Sequence, residues 1–160
     1  MRVYCPHTQI LPEARAALDA SGYDWSAADL TGSDTAYTEL LQKLWRTGRT
    51  FAIIEHDIVP WRGALAELDD CPEPWCAFEY PFGKNMITGL GCTRFRDTLL
   101  TAYPSAADDT LAETNDVHPR GHWCSLDDRL MRVLTRLGAK RHVHTPAVGH
   151  LRPYPSHGCC

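Results

Sequence analysis

Residues 51–57 read FAIIEHD, four apolar residues running straight into Glu55, His56 and Asp57. A buried carboxylate is costly unless it is paired or bound to a cation. Two carboxylates one residue apart, at the tip of an apolar strand, suit a hard divalent ion, which takes oxygen ligands and can bridge to phosphate oxygens. An ion held there offsets the charge that develops on a departing pyrophosphate. The plainer alternative is a pair of solvated acids at a strand end. A second chemical feature is the distribution of charge. Residues 1–80 carry 6 Lys/Arg against 13 Asp/Glu, whereas residues 81–160 carry 10 against 7. Beyond Asp128 there is no acid, while six Lys/Arg and four His follow. An acidic first half and a basic tail imply a site between them, suited to a phosphorylated ligand.

The elements around the acids follow from pattern. Arg2-Val3-Tyr4 is a short strand, and Pro12 opens a helix that Gly22 ends. Residues 23–30 hold a second strand with Asp29 near its end. Tyr37, Leu40, Leu41, Leu44 and Trp45 recur at helical spacing and form one apolar face. Phe51 to Glu55 is a continuous apolar run, as in a strand buried on both faces of a parallel sheet. The first 57 residues thus alternate strand, helix, strand, helix, strand, which predicts an α/β fold with a mostly parallel central sheet flanked by helices. Such sheets bind ligands beyond the C-terminal strand ends, where Glu55 and Asp57 fall. Alternation along the strand would put these two on one face and His56 on the other.

The remainder is less regular. It predicts a short helix over 62–68, strands over 75–80 and 86–92 joined by a Pro-Phe-Gly turn, and a helix over 95–102. Residues 104–121 are polar with Pro and Gly, which predicts a long loop able to act as a lid. Residues 126–137 form a clear helix with an apolar face on Leu126, Leu130, Val133, Leu134 and Leu137, and a separate basic stripe of Arg129, Arg132 and Arg136. Residues 141–144 read as a last strand and 146–155 as a trailing loop.

Composition bounds the class. At 160 residues, 44% hydrophobic and 22% charged, the chain fits one globular domain over 1–155 with a short tail over 156–160. No apolar run approaches the roughly 20 residues of a membrane span, and MRVYCPHTQ lacks a secretory hydrophobic region, so the expected location is the cytosol. The seven cysteines are scattered and odd in number, without a CxxC pair; they read as buried free thiols, with a zinc site as the alternative.

Four segments in order resemble a small GT-A-fold glycosyltransferase of the compact bacterial and phage kind. IIEHD is similar to that family's acidic D-x-D motif, with Glu in the first position. GLGCTRFRDTLL resembles its strand-then-helix segment. HWCSLDDRLMRVLTRLG resembles its E-D-x-x-L segment, with Asp127, Leu130 and Gly138 in register and Leu126 standing where the family has Glu. HVHTPAVGH resembles the C-terminal segment that often gives the metal a histidine.

The resemblance implies a single Rossmann-like GT-A domain that moves a sugar from a nucleotide-sugar, a UDP-sugar by preference, with Mn2+ or Mg2+ as cofactor. It implies Asp57 as direct metal ligand, Glu55 near the ribose or a metal-bound water, and His150 as third ligand, with His144 as the alternative. Asp127 becomes the general base of an inverting transfer, set against the reading of an ordinary first-turn helix acid. Nucleotide contacts are expected at the first two strand ends, on Pro6, His7, Thr8 and Asp29. Tyr37 fits base stacking or, on its spacing, the core. Arg152 and Lys140 are candidates for the diphosphate, Gly89 and Gly91 for close approach of sugar or acceptor, and Trp123 for an acceptor platform.

Two other readings stay open. A metal-dependent nucleotidyltransferase also pairs acids on an α/β sheet, but it usually has a Gly-rich loop after strand one, and CPHTQILPE has no Gly. A non-catalytic nucleotide-sugar-binding module would keep the fold without turnover. The acceptor is either a phage-modified DNA base or a protein hydroxyl; the basic stripe on 126–137 speaks for a phosphate backbone, the overall acidity against it.

Overall fold

The computed structural model describes residues 1–113, 121–123, 125–146 and 148–151. Its elements run β1 (Arg2–His7), α1 (Pro12–Asp19), β2 (Trp25–Asp29), α2 (Ala36–Arg46), β3 (Phe51–Ile54), β4 (Ile58–Val59), α3 (Ala64–Asp70), β5 (Trp75–Phe78), β6 (Tyr80–Phe82), β7 (Asn85–Ile87), β8 (Cys92–Phe95), α4 (Asp97–Ala102), α5 (Ala106–Ala112), α6 (Leu126–Arg136), β9 (His142–His144) and β10 (Gly149–His150).

The central sheet has the strand order β2-β1-β3-β8-β5-β9. β1 pairs in parallel with β2 and β3, and β5 with β9, while β8 runs antiparallel between β3 and β5. The chain is therefore α/β, with a mostly parallel sheet between two helical layers. The residues of β3 show why. Phe51 and Ile53 face one layer, packing with Tyr37, Leu41 and Trp45 of α2 and Leu130, Val133 and Leu134 of α6. Ala52 and Ile54 face the other, with Leu18 of α1 and Leu65 and Leu68 of α3. A strand covered on both faces needs apolar residues at every position, hence the unbroken run. Trp45, Phe51, Phe95 and Trp75 form a chain of ring contacts through the first layer, with centroids 5.2–6.4 Å apart. Truncating such a ring typically costs about 3–5 kcal/mol. Helix α6 ends where Gly138 takes φ 89°, a left-handed turn that lets Ala139 N–H reach the Leu134 carbonyl.

Several expectations are corrected. The 104–121 loop contains α5, and Ala106, Ala107 and Thr110 are buried between α2 and α6, so residues 104–113 are packed structure and no lid; 114–120 lie outside the described residues. The strand expected over 86–92 is replaced by a short hairpin, β6–β7, and the sheet strand begins only at Cys92. Phe95 belongs to that strand, and the helix starts at Asp97. The trailing loop holds β10, which pairs antiparallel with β4. The basic stripe is only partly buried: Arg129 is 1% exposed and donates to the His122 carbonyl, whereas Arg132 and Arg136 stay exposed while pairing with Asp128 and Glu113.

Of the cysteines, Cys5 and Cys92 are buried thiols whose pKa values burial pushes up, Cys5 to about 12. Cys71 and Cys76 are joined as a disulfide, against the expectation of free thiols throughout. Cys124, Cys159 and Cys160 lie outside the described residues. Among the described residues, no helix is long and apolar enough to cross a membrane.

Candidate functional site

The C-terminal ends of the parallel strands gather at one edge of the sheet, and the acids leave β3 there. Glu55 N–H donates to the Gly91 carbonyl at 2.9 Å, and Ile58 N–H to the Glu55 carbonyl at 3.0 Å. This closes a turn, so strand alternation stops at Ile54 and does not set the directions of Glu55, His56 and Asp57. Asp57 is 7% exposed. Directly after it, β4 pairs with β10, which sets His150 opposite Ile58. Leu151 N–H also donates to the Asp57 carbonyl, at 2.9 Å.

That pairing brings His150 Nε2 to 3.4 Å from Asp57 Oδ2. His150 Nδ1 stands 2.8 Å from the Pro81 carbonyl. A carbonyl only accepts, so Nδ1 carries the hydrogen and Nε2 of the neutral ring presents its lone pair to the carboxylate. Two acceptors facing each other need a proton or a cation between them. The Asp57 carboxylate accordingly raises the His150 pKa, more than burial lowers it. A carboxylate oxygen and an imidazole nitrogen aimed at one point, with Glu55 nearby, fit a divalent ion such as Mn2+ or Mg2+. His144 is not part of this group; it lies on the edge strand β9, against Glu67.

Glu55 points into the first core layer, where Tyr37 donates its hydroxyl to Glu55 Oε1 at 2.9 Å. Desolvation, and then the neighbouring Asp127 charge, push Glu55 up to about 7. Asp127 sits in the first turn of α6, its Oδ1 accepting from Asp128 N–H at 2.8 Å, and burial raises its pKa too. Gly89 explains how these groups fit. A Cβ at Gly89 would lie 2.4 Å from Asp127 Oδ2 and 2.5 Å from the Tyr80 hydroxyl, and one at Gly91 would lie 2.8 Å from the Tyr80 ring. The glycines thus leave room for a carboxylate and a phenol side by side. The Tyr80 ring reaches back to His150, with centroids 5.5 Å apart, and so joins the two halves of the site. Arg141 supplies the cation: it donates to the Thr88 carbonyl at 2.7 Å, lies over the Trp75 ring, and lowers Asp127 by its charge.

The remaining sequence candidates are dispersed. His7 and Asp29 are register partners at the ends of β1 and β2, next to buried Pro6 and exposed Thr8. Asp29 is turned to its own loop, accepting from the N–H and hydroxyl of Thr31 at 2.8 Å. Trp123 is 44% exposed, with its N–H on the Asp34 carbonyl and its ring stacked on His122. Lys140 lines a surface groove with Pro74, Leu99, Tyr103 and Ala139 that includes neither Glu55 nor Asp57. Arg152 lies outside the described residues. Sequence reading missed Tyr80 and Arg141 altogether and gave Tyr37 to the core or a base. The Tyr80–Pro81–Phe82 step before Gly83 was the available signal for a hairpin carrying a site tyrosine.

No family model matches the sequence, and no curated protein matches it. Solved structures do resemble the fold. A197 from STIV superposes with TM-score 0.57 at 10% identity, covering 92% of this chain and 82% of that one. A glycosyltransferase involved in glycosylation of the major capsid of PBCV-1 superposes with TM-score 0.57 at 13% identity, covering 93% and 92%. A CMP:2-keto-3-deoxy-manno-octonic acid synthetase with CTP reaches only 0.44 at 12% identity, over 98% and 77%, too low to carry an argument. At these identities the likeness is one of fold: the sheet and its helices are arranged as in a glycosyltransferase.

Proposed function

We propose that this protein is a metal-dependent glycosyltransferase that moves a sugar from a nucleotide-sugar, a UDP-sugar by preference, to an acceptor hydroxyl with inversion. The observation that carries the reading is the convergence of Asp57 and His150 Nε2 at 3.4 Å beside Glu55, with Asp127 close by across Gly89, on the ligand-binding edge of a fold shared with a glycosyltransferase.

Asp57 and His150 would hold the ion, with Glu55 as a further oxygen donor or a contact to the ribose. When bound, Mn2+ or Mg2+ supplies Lewis-acid charge to the departing diphosphate. The nucleoside would lie across the ends of β1 and β2, against Pro6, His7, Thr8 and Asp29. Asp127, desolvated and therefore more basic than an exposed carboxylate, takes the proton of the acceptor hydroxyl as its oxygen attacks the anomeric carbon and the nucleoside diphosphate departs. The Arg141 charge works against the burial that raises Asp127 and so favours its carboxylate form. Tyr80 holds the hydroxyl side and the metal side in register.

Burial of Arg129 and the ion pairs of exposed Arg132 and Arg136 with Asp128 and Glu113 leave less free positive charge on α6 for a DNA backbone than the sequence suggests. A protein or protein-borne glycan hydroxyl is the better acceptor class, in keeping with the capsid target of the PBCV-1 enzyme. The test is release of nucleoside diphosphate from a panel of nucleotide-sugars with and without Mn2+, alongside a thermal-shift screen. Metal-dependent release is expected. Release of pyrophosphate from a nucleoside triphosphate and a sugar phosphate would instead make the protein a nucleotidyltransferase. Metal-dependent binding without any turnover would make it a binding module.

A further inference from the structure

On the other side of the sheet, three buried side chains that the proposed transfer does not use converge: Cys71 at the end of α3, Cys76 on β5 and His144 on β9. Their sulfur and nitrogen atoms lie within 4.8 Å of one another. His144 is fixed as a metal-bound histidine is fixed. Its Nδ1 stands 2.8 Å from Glu67 Oε1, which makes Nδ1 the hydrogen-bearing nitrogen. Its Nε2 is buried with no hydrogen-bond partner among the described residues. A carboxylate behind the ring raises the basicity of the ligating nitrogen and sets its direction. The four-residue gap between the cysteines lies in the range used by zinc sites. Their Cα atoms are 7.1 Å apart, at the far limit of what a disulfide spans.

Arg94 adds an independent observation. It is fully buried, and its guanidinium donates to the Cys76 sulfur at 3.1 Å, to the Cys71 carbonyl at 2.9 Å, and to the Asp69 and Glu73 carbonyls. Among the described residues no carboxylate stands within ion-pair distance of it. A buried cation whose one side-chain acceptor is a cysteine sulfur would favour ionisation of that sulfur once the bridge is reduced.

We propose that Cys71, Cys76 and His144, in the reduced protein, bind a borderline-soft divalent cation, zinc by preference, with Glu67 orienting the histidine and Arg94 compensating the thiolates. Coordination releases one proton from each thiol. The two thiolates and Glu67 then balance the ion and Arg94, so the buried cluster carries no net charge. The ion ties the end of α3 to β5 and to β9. The chain leaves β9 directly for Val148 and His150, so the staple steadies the segment that delivers His150 to Asp57. The site stands apart from the proposed sugar transfer and does not depend on it.

The experiment is zinc analysis of the protein purified with a phosphine reductant and no chelator. About one zinc per chain is expected in the wild type. The same content is expected in Asp57→Ala, which separates this site from the acidic one, and in Cys159→Ser/Cys160→Ser, which excludes the C-terminal cysteines. Cys71→Ser and Cys76→Ser should lose the metal, and Glu67→Gln should weaken it about 10–100-fold. Should a cysteine variant fail to fold, cobalt(II) exchanged into the wild type must show thiolate charge-transfer absorption and a tetrahedral visible spectrum. Reduced wild-type protein without zinc, zinc retained by the folded cysteine variants, or cobalt bound without thiolate bands would each overturn the proposal.

Discussion

His144 and His150 lie six positions apart in the chain and are held alike. Each gives its Nδ1 hydrogen to an oxygen, Glu67 in one case and the Pro81 carbonyl in the other, and each turns Nε2 toward side-chain atoms of a kind that can ligate a metal. What they face differs. His150 meets the Asp57 carboxylate at the C-terminal ends of the parallel strands. His144 meets two sulfurs under α3, beside a buried arginine. Oxygen donors with an open side suit an exchangeable hard ion that works on a phosphate, whereas sulfur donors sealed in a core suit a permanent softer ion. One short segment would thus serve both proposed sites, which are of opposite hardness. The fold does this by running β9 up one edge and returning the chain as β10 to the end of β3.

The contrast predicts separable losses, and the largest is at Asp57. Asp57→Ala removes the only carboxylate oxygen that His150 Nε2 approaches among the described residues, so metal-dependent nucleotide-sugar turnover should fall to background. Zinc content and melting temperature should stay near wild type. Turnover that persists in EDTA would break the comparison, because the edge site would then need no hard ion.

Next comes Asp127. Asp127→Asn keeps the shape and loses the base, so kcat should fall by ~10²–10⁴, with donor affinity changed little. Asp128→Asn should do far less, since Asp128 is exposed and paired with Arg132. Equal rates in the two variants, or a product that keeps the donor's anomeric configuration, would remove Asp127 from the mechanism.

Gly89→Ala sharpens the picture at a smaller scale. The new methyl would meet Asp127 Oδ2 at 2.4 Å and the Tyr80 hydroxyl at 2.5 Å, so one of the two must move. Overpacking of this kind costs about 1–3 kcal/mol, which read as lost transition-state stabilisation is on the order of 10-fold or more in kcat. Activity unchanged in this variant would mean that Asp127 and Tyr80 need not sit together.

The two sites were legible to different degrees. The β1–α1–β2–α2–β3 half could be read because each element carries its own local pattern: the stripe from Tyr37 to Trp45, the unbroken FAII, and Pro12 at a helix start. Glu55 and Asp57 followed from their place after FAII. His150 did not follow from local pattern and came from the family resemblance. Tyr80 and Arg141 stayed hidden because what places them is distant; Arg141 bonds a carbonyl 53 residues away. Helix α5 was missed because Ala106, Ala107 and Thr110 bury small side chains and give no apolar stripe. The sulfur site showed half of itself, a pair of cysteines at positions 71 and 76. Its histidine arrives only through the parallel pairing of β5 with β9, which no short stretch of sequence encodes.

The smallest expected effect is on stability, and it has opposite signs at the two sites. Desolvation raises Glu55 from its ordinary 4.5 to about 7, burial raises Asp127, and the Asp57 carboxylate raises His150. All three bind protons more tightly in the folded chain than in the unfolded one, so stability falls as pH rises. For Glu55 the contribution is complete below about 4.5 and is lost as pH climbs through about 7. Without added Mn2+ or Mg2+, the melting temperature should therefore drop on the order of 5 °C between about pH 5 and pH 8. Mn2+ added at the upper pH should recover most of the drop, because the cation takes the place of the protons. Zinc at the sulfur site works the other way. It must displace thiol protons, so the stabilisation it gives grows with pH. Melting curves of the wild type and Glu55→Gln at both pH values, with each metal in turn, measure the two slopes separately. Glu55→Gln should flatten the metal-free slope and leave the zinc slope alone. A metal-free slope as steep in Glu55→Gln as in the wild type would mean that Glu55 is not the carboxyl that the fold holds protonated.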